Sequence, residues 1–398
     1  MKIINSLLNF STKSSIISVL CLALLLLAGC SDNGDDLQNP NVAPIVNTDP
    51  NCSQIVNIPD ANFKAKLVEG GLGVCLTLDG QLIIDKNGDG EIQVCEAENV
   101  AILTIDQSDI NSIEGILQFR NIERISFKYN NLSQPLDLTT LRRLASVSLT
   151  NNNIPSLNIS GLNYLKDLQC SGNNLQTLSV KSLGSLNTLQ CETNQITNLN
   201  IEGAVQLVNL RVSHNNISQL NVSHLSNLQH LSASDNSLTN LNLSGLAKLQ
   251  HVNCASNNLQ TLDATGCVEL YDLNCAQNSL HELKLSGCTN LITLDCMLNK
   301  LPSLNFTGLQ NLNYISCSGN RFITIDIRDC ANVSLLDVSF NPNLQSLIVK
   351  NGSTASQGIN IYQCPSLTSI CCDSSEQAEI LSDVQLYGYN CNVVTNCF

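Results

Sequence analysis

The chain has 398 residues, a formal net charge of −14, few charged residues (13%) and few aromatics (4%), with no tryptophan. An acidic chain without a basic stripe argues against nucleic acid or an anionic membrane surface as its partner. The scarcity of aromatics leaves no rows of stacking platforms for sugars or bases.

At the N-terminus Lys2 and Lys13 precede an apolar run, Ile16 to Leu27, too short to span a bilayer comfortably. The run ends Leu27-Ala28-Gly29-Cys30. This resembles a bacterial lipobox, which implies that residues 1–29 are a cleaved lipoprotein signal peptide and that Cys30 is lipidated. Several acyl chains would anchor stably, since each buried methylene contributes about 0.8 kcal/mol. Loss of Lys2 and Lys13 takes the net charge from −14 to about −16. The next residues, Ser31-Asp32-Asn33-Gly34-Asp35-Asp36, resemble the surface-export signal of Bacteroidetes lipoproteins. The resemblance implies an outer-membrane lipid-anchored protein exposed at the cell surface. Residues 30–52, with Pro40, Pro44 and Pro50, read as a disordered tether.

Residues 53–99 form an N-terminal cap. Pro59 to Glu69 reads as a short amphipathic helix capped by Asp60 and stopped by Gly70-Gly71, with Phe63 and Leu67 placed to plug an open core. Asp85-Lys86-Asn87-Gly88-Asp89-Gly90-Glu91-Ile92-Gln93-Val94-Cys95-Glu96 fits a twelve-residue EF-hand loop. Asp85, Asn87 and Asp89 supply oxygens at positions 1, 3 and 5, and Gly90 makes the turn at 6. Glu91 offers its carbonyl, Gln93 sits at position 9 and Glu96 closes the set. The flanks depart from a paired EF-hand: Leu82-Ile83-Ile84 reads as extended and the exit helix as short. The loop therefore resembles dockerin-type loops, and a structural Ca2+ of modest affinity is expected, roughly 0.1–1 mM.

From Ile122 to Val349 one sentence recurs eleven times, Leu-x-x-Leu-x-Cys-x-x-Asn-x-Leu-x-x-Leu-x-Leu-x-x-Leu, with an unbroken 21-residue period from Leu144 to Val333. Such a period means a solenoid whose units bury apolar faces against their neighbours. Positions 4 and 6 alternate as in a half-buried strand. Cysteine at position 6 (Cys170, Cys191, Cys254, Cys275, Cys296, Cys317) and at position 19 (Cys267, Cys288, Cys330) trades places with Leu, Val, Ala and Phe. These thiols therefore read as small core hydrophobes. Position 9 is Asn in every unit, from Asn130 to Asn341; stacked once per coil, it would pair buried backbone groups of adjacent turns.

The pattern resembles the short bacterial type of leucine-rich repeat over about residues 100–350. The fold class that follows is a leucine-rich-repeat solenoid, with a parallel β-sheet on the concave face and short strands or extended turns on the convex face. Small helical caps close both ends. At about 4.8 Å per strand, eleven units give a concave sheet on the order of 50 Å long. Residues 351–398 read as a cysteine-rich C-terminal cap, with a helix at Ser375–Leu386 among Cys364, Cys371, Cys372, Cys391 and Cys397. Disulfides are expected at both ends of an exported chain, but their pairing is not readable from spacing. The arrangement resembles leucine-rich-repeat surface proteins of flavobacteria and relatives. Many of those carry a C-terminal secretion domain, and this chain stops without one, so lipid is the expected anchor.

The binding face of that family is the concave strand surface, here positions 2, 3, 5, 7 and 8. Most are Ser, Thr, Asn or Gln. One concentration differs: Arg211, His214, His230, Asp235, His251, Tyr271 and Asp272, on adjacent coils. A second, more apolar patch comprises Met297, Leu298, Tyr314 and Phe340. His230 and His251 occupy the same position on consecutive units, and a metal site there would need His214 or Asp235 as third ligand. No nucleophile motif or phosphate loop is present, so an enzyme is not expected. The expected function is recognition of a protein or glycoprotein partner in adhesion. The alternatives are carbohydrate capture for nutrient uptake and a structural role in the envelope.

Overall fold

The computed structural model describes residues 52–352 and 358–397. The signal segment, Cys30 and most of the tether lie outside the described residues. Fourteen short strands form a single concave sheet from Cys75–Thr77 to Gly358–Asn360. The first strand pairs antiparallel with Val100–Thr104, and each later strand pairs parallel with the next. In the repeats the strand occupies positions 3 to 5, so Leu210 lies beside Leu231, then Val252, Leu273 and Leu294. These position-4 side chains are fully buried, as alternation demands. The sheet runs past residue 350, because Gly358–Asn360 adds one more strand in register with Leu335–Asp337.

On the convex side the second half of each unit is extended, as expected for a repeat too short to hold a helix. Strand pairs and triplets form there, such as Leu241–Asn242 with Thr261–Asp263 and Glu282–Lys284. Between the two sides one continuous core runs from Val56 to Val384. It includes all nine of the repeat cysteines, each at most 1% exposed.

The position-9 asparagines do what their column implied. Asn257 Oδ1 accepts from the Leu238 N–H of the preceding coil at 2.9 Å. Its Nδ2 donates to the Ala233 carbonyl of that coil and to Cys254 and Ala255 of its own. The same set recurs at Asn173, Asn215, Asn278 and Asn320. The residue before each asparagine is left-handed. Tyr129, Asn151, Thr193, His214, Asp235, Ser256, Gln277, Leu298 and Phe340 all have φ between 52° and 57°. That conformation costs an ordinary side chain about 1–2 kcal/mol. It is held here because each coil repeats the turn of its neighbour, His214 N–H donating to Ser234 O and Ser256 N–H to Ala276 O.

The caps follow from local chemistry. Helix α1, Ala61–Glu69, starts where Asp60 accepts from the Phe63 N–H at 2.9 Å. It ends at Gly70, whose φ of 58° and close approach to Leu82 O leave no room for a Cβ. Phe63 and Leu67 are fully buried, and Phe63 packs edge-on against Phe127 at 5.7 Å. Asp60 also accepts from Asn111 and Ser112, pinning the helix to the first coils. Helix α2, Val94–Glu98, is the short exit helix of the acidic loop. Helix α3, Gln377–Tyr387, covers the other end. Disulfides join Cys52 to Cys95 and Cys371 to Cys397, with Cα separations of 5.8 and 6.1 Å. Of the remaining cap cysteines, Cys75, Cys364 and Cys372 are buried free thiols, and Cys391 is a half-buried one. No helix among the described residues is long and apolar enough to cross a membrane.

Candidate functional site

The strand register decides which candidate residues share a surface. His230 lies directly beside His251, and His251 beside Asp272, in one row at position 3. His251 Nδ1 lies 2.5 Å from Asp272 Oδ2, both about a quarter exposed. Arg211 stands in the position-5 row beside Ser232, on the same face. Burial, then the charges of His251 and Arg211, push the His230 imidazole below its ordinary pKa. These four residues form one polar patch.

The other three candidates fall elsewhere. His214 and Asp235 sit at the left-handed position, in the turn beyond the strand, with His214 Nδ1 3.5 Å from Asp235 Oδ2. Tyr271 sits at position 2, before the strand, where it lines a shallow groove of about 740 Å3. Its companions there are Ile292, Gln250, Glu269 and a run of asparagines including Asn290 and Asn313. The period alone could not separate these places, because a strand of only three residues gives way to a turn within one step of either end. Among the described residues no three His, Cys, Asp or Glu side chains gather closely enough to hold a metal. The expected third ligand for the histidines is therefore not supplied by His214 or Asp235.

The second patch is larger than its sequence suggested. Tyr314 lies beside Leu335 in the position-3 row, and Leu298 and Phe340 stand half exposed in their turns. Phe340 packs edge-on to Tyr362 at 5.4 Å and Tyr362 edge-on to Tyr387 of α3 at 5.5 Å, while Tyr387 and Tyr389 meet at a tilt with centroids 5.7 Å apart. Tyr389 is fixed by its hydroxyl, which donates to Ile361 O and accepts from the Cys364 N–H. Sequence reading missed Asp295 and Asp337 at position 5. The strands place Ser316 directly between them. Asp295 accepts from the Met297 N–H and Asp337 from the Ser339 N–H. Burial raises both carboxyl pKa values, and for Asp295 the charges of Asp337 and Asp272 add to it. The signal available was an acid at a strand position that otherwise holds Ser, Asn, Gln or, once, Arg.

The acidic loop is folded around its own hydrogen bonds. Asp85 accepts from Gly88 and Gly90, Asn87 from the Asp89 N–H, and Asp89 from the Glu91 N–H. Glu96 reaches back from α2 to the Lys86 and Gln93 N–H groups, completing a capping box. The Asn87 amide donates to Asp89 Oδ2 and to Gln93 Oε1, so a neutral donor lies where these oxygens meet. The Glu91 N–H, then Asn87 and Gln93, lower the Asp89 pKa. Ile84 and Ile92 are buried, and the Ile92 backbone pairs with Val56. All six donors are oxygens, the chemistry that a hard cation such as calcium takes, but as folded here the Asp85, Asp89 and Glu96 carboxylates accept from backbone N–H groups and do not gather into a metal-holding cluster.

No protein-family model matches the chain, nor does any curated protein. Solved structures do. The functional domain of InlJ from Listeria monocytogenes, described as including a cysteine ladder, aligns with 80% of this chain and 75% of its own, at 24% identity and a TM-score of 0.57. A leucine-rich-repeat protein from Leptospira interrogans aligns over 75% of this chain and 91% of its own, at 19% identity and a TM-score of 0.52. An internalin, InlF, from Listeria monocytogenes covers 86% and 96%, at 16% identity and a TM-score of 0.50. The fold is a leucine-rich-repeat solenoid. At these identities the likeness speaks to fold alone. In this chain the core thiols stack along the solenoid, with Cys296 Sγ 3.6 Å from Cys317 Sγ.

Proposed function

We propose that this is a binding protein, not an enzyme, held at a bacterial cell surface by lipid on Cys30, and that its concave face recognises a protein or glycoprotein partner in adhesion. The observation that carries the reading is the division of labour within each coil. Leucine, cysteine and asparagine columns are consumed by the core and the turn ladder, while the strand positions facing outward on the concave sheet vary freely. A long, open, rigid face of this kind suits a macromolecular partner better than a small molecule enclosed in a pocket. The apolar run ending at Cys30 supports the lipid anchor, and the acidic stretch after it supports surface exposure. The oxygen-rich loop at residues 85–96 supports a structural calcium ion in the N-terminal cap, ligated by Asp85, Asn87, Asp89, the Glu91 carbonyl, Gln93 and Glu96.

The test is site-directed photo-crosslinking on cells that display the protein. A crosslinker at position 232 or 316, on the concave sheet, should capture a partner that one at position 242 or 284, on the convex side, does not. Equal capture from both sides would remove the concave face from the reading. One observation favours carbohydrate capture as a second reading: the groove beside Tyr271 combines an exposed ring with several carboxamides, the pairing that sugars use. A glycan array with wild type and Tyr271→Ala separates the two. Glycan binding that depends on Tyr271 would favour capture of carbohydrate.

A further inference from the structure

We propose that the C-terminal half of the concave face, from Asp272 to Tyr362, docks an extended segment of a partner protein that presents lysine or arginine among apolar side chains. The inference rests on the concave-face reading above and adds the chemistry of the occupant. Its first ground is charge. From the Asp272 strand to the Tyr362 turn, no lysine or arginine occupies strand positions 3 and 5 or turn positions 7 and 8, where the earlier coils carry Arg124, Lys128 and Arg211; Lys300 and Arg321 come later in the coil, after the ladder asparagines. Asp272 is already answered by His251. Asp295 and Asp337 are not: among the described residues neither forms an ion pair, and each is held by a backbone N–H two residues on. They stand on strands two apart, so their carboxylates are about 10 Å from each other across Ser316. Two half-buried carboxylates on one face, with no cation of their own, make a surface that gains when a partner supplies one. Their raised pKa values agree with this, since burial disfavours both charges and the charge of Asp337 adds to the rise at Asp295.

The second ground is apolar. Leu298 and Phe340 are 49% and 51% exposed, in left-handed turns that favour small or polar residues. Tyr314 and Leu335 on the strands and Met297 in the turn lie half buried beside this rim, and Phe340 continues into the Tyr362–Tyr387 stack. Aromatic faces beside carboxylates suit a guanidinium or ammonium group on an aliphatic stem. A segment with charged heads and apolar neighbours meets both halves of the surface at once.

The experiment uses the purified, processed protein and three synthetic dodecapeptides: alternating leucine and lysine, alternating leucine and glutamate, and alternating serine and lysine. The leucine–lysine peptide should bind, the leucine–glutamate peptide should not, and the serine–lysine peptide should bind more weakly. Asp295→Asn with Asp337→Asn keeps shape and hydrogen-bond acceptors and should weaken leucine–lysine binding by roughly tenfold or more at low salt. Leu298→Asn with Phe340→Asn leaves the acids in place and puts a residue tolerant of positive φ in each turn; it should also weaken binding, with the fold intact by circular dichroism. Glu282→Gln, which removes an acid from the convex side, should leave binding unchanged. Unchanged binding in the Asp double variant, or equal binding of the glutamate peptide, overturns the inference. If the concave crosslinkers still capture a native partner in the Asp double variant, the inference fails while the concave-face reading stands. Capture lost in that variant and in the Asn turn variant supports both.

Discussion

Asn257 sits mid-solenoid, is 8% exposed and forms four hydrogen bonds across two coils. Asn257→Ala leaves the buried Leu238 N–H without its acceptor, which costs about 1–3 kcal/mol. It also removes three donations to carbonyls. All three keep another donor, Ala233 O in Asn236, Cys254 O in Asn278 and Ala255 O in the Asp235 N–H, so those losses are partly offset. At about 0.5 kcal/mol for each of the three weakened bonds, the total is about 2.5–4.5 kcal/mol. Because repeat proteins are stabilised by nearest-neighbour interfaces, the loss falls on the contact between two coils and should also split the unfolding transition. Guanidinium titration followed by far-ultraviolet circular dichroism measures both. Ser256→Asn, one residue earlier at φ 55° and exposed to solvent, is the control, expected within about 0.5 kcal/mol of wild type. A loss below about 1 kcal/mol in Asn257→Ala would refute the account of the ladder as the join between coils.

Two further outcomes follow from the caps. Raising free calcium from trace levels to about 10 mM should stabilise the N-terminal cap by roughly 1–3 kcal/mol for a dissociation constant of 0.1–1 mM. The shift should appear in thermal melts, be reversed by EDTA and shrink in Asp89→Asn; a melting temperature indifferent to calcium would remove the ion from the loop. Glu376, 2% exposed at the start of α3, has its carboxyl pKa raised to about 7 by burial, against the Asp373 N–H, with the charges of Asp373 and Glu379 adding to the rise. A raised carboxyl pKa means the neutral form is preferred in the fold, so stability is fullest below the ordinary glutamate range and is lost as pH rises through 7. Glu376→Gln should therefore match wild type near pH 4.5 and exceed it at pH 8, by up to roughly 3 kcal/mol. A variant no more stable than wild type at pH 8 would show that the carboxylate is well solvated.

The frame was legible in the sequence because each column of the repeat answers a single physical demand. Leucine at position 4 must be buried on a strand, Asn257 and its equivalents must satisfy a turn, and Asp60, Phe63 and Gly70 must start, dock and stop a cap helix. The candidate site was legible only in part. His230, His251 and Asp272 came together because strand register follows directly from the 21-residue period. Tyr271, His214 and Asp235 did not join them, since the strand is only three residues long, position 2 precedes it and position 8 lies in the turn that rims the concave face. The left-handed column at position 8 gave little sign of itself: Tyr129, Thr193, Leu298 and Phe340 have no preference for that conformation, which neighbouring coils impose. Asp295 and Asp337 escaped notice because their isolation from cations depends on which residues face the same side, a property of the sheet and not of any local motif. The extra strand at Gly358–Asn360 was hidden by a break in the period after Val349.

The thiols bring the proposed surface location and a cysteine-rich core into apparent conflict. Of the thirteen free cysteines among the described residues, twelve are buried. Burial raises the Cys170 and Cys254 thiols to about 12 and Cys267 to about 11. For Cys317 the neighbouring Cys296 is the first cause, with burial adding to it. Since the thiolate is the species that attacks an oxidant or a disulfide, such thiols are protected twice, by inaccessibility and by protonation. The two disulfides lie at the ends, where Cys95 and Cys397 are not enclosed by stacked coils. Native protein treated with iodoacetamide at pH 8 should therefore be alkylated at Cys391 alone among these thirteen, the rest reacting only after denaturation. Mass spectrometry of the alkylated protein reads the outcome, and rapid labelling of Cys275 or Cys296 in the folded state would mean that the coils separate far more often than a continuous core allows.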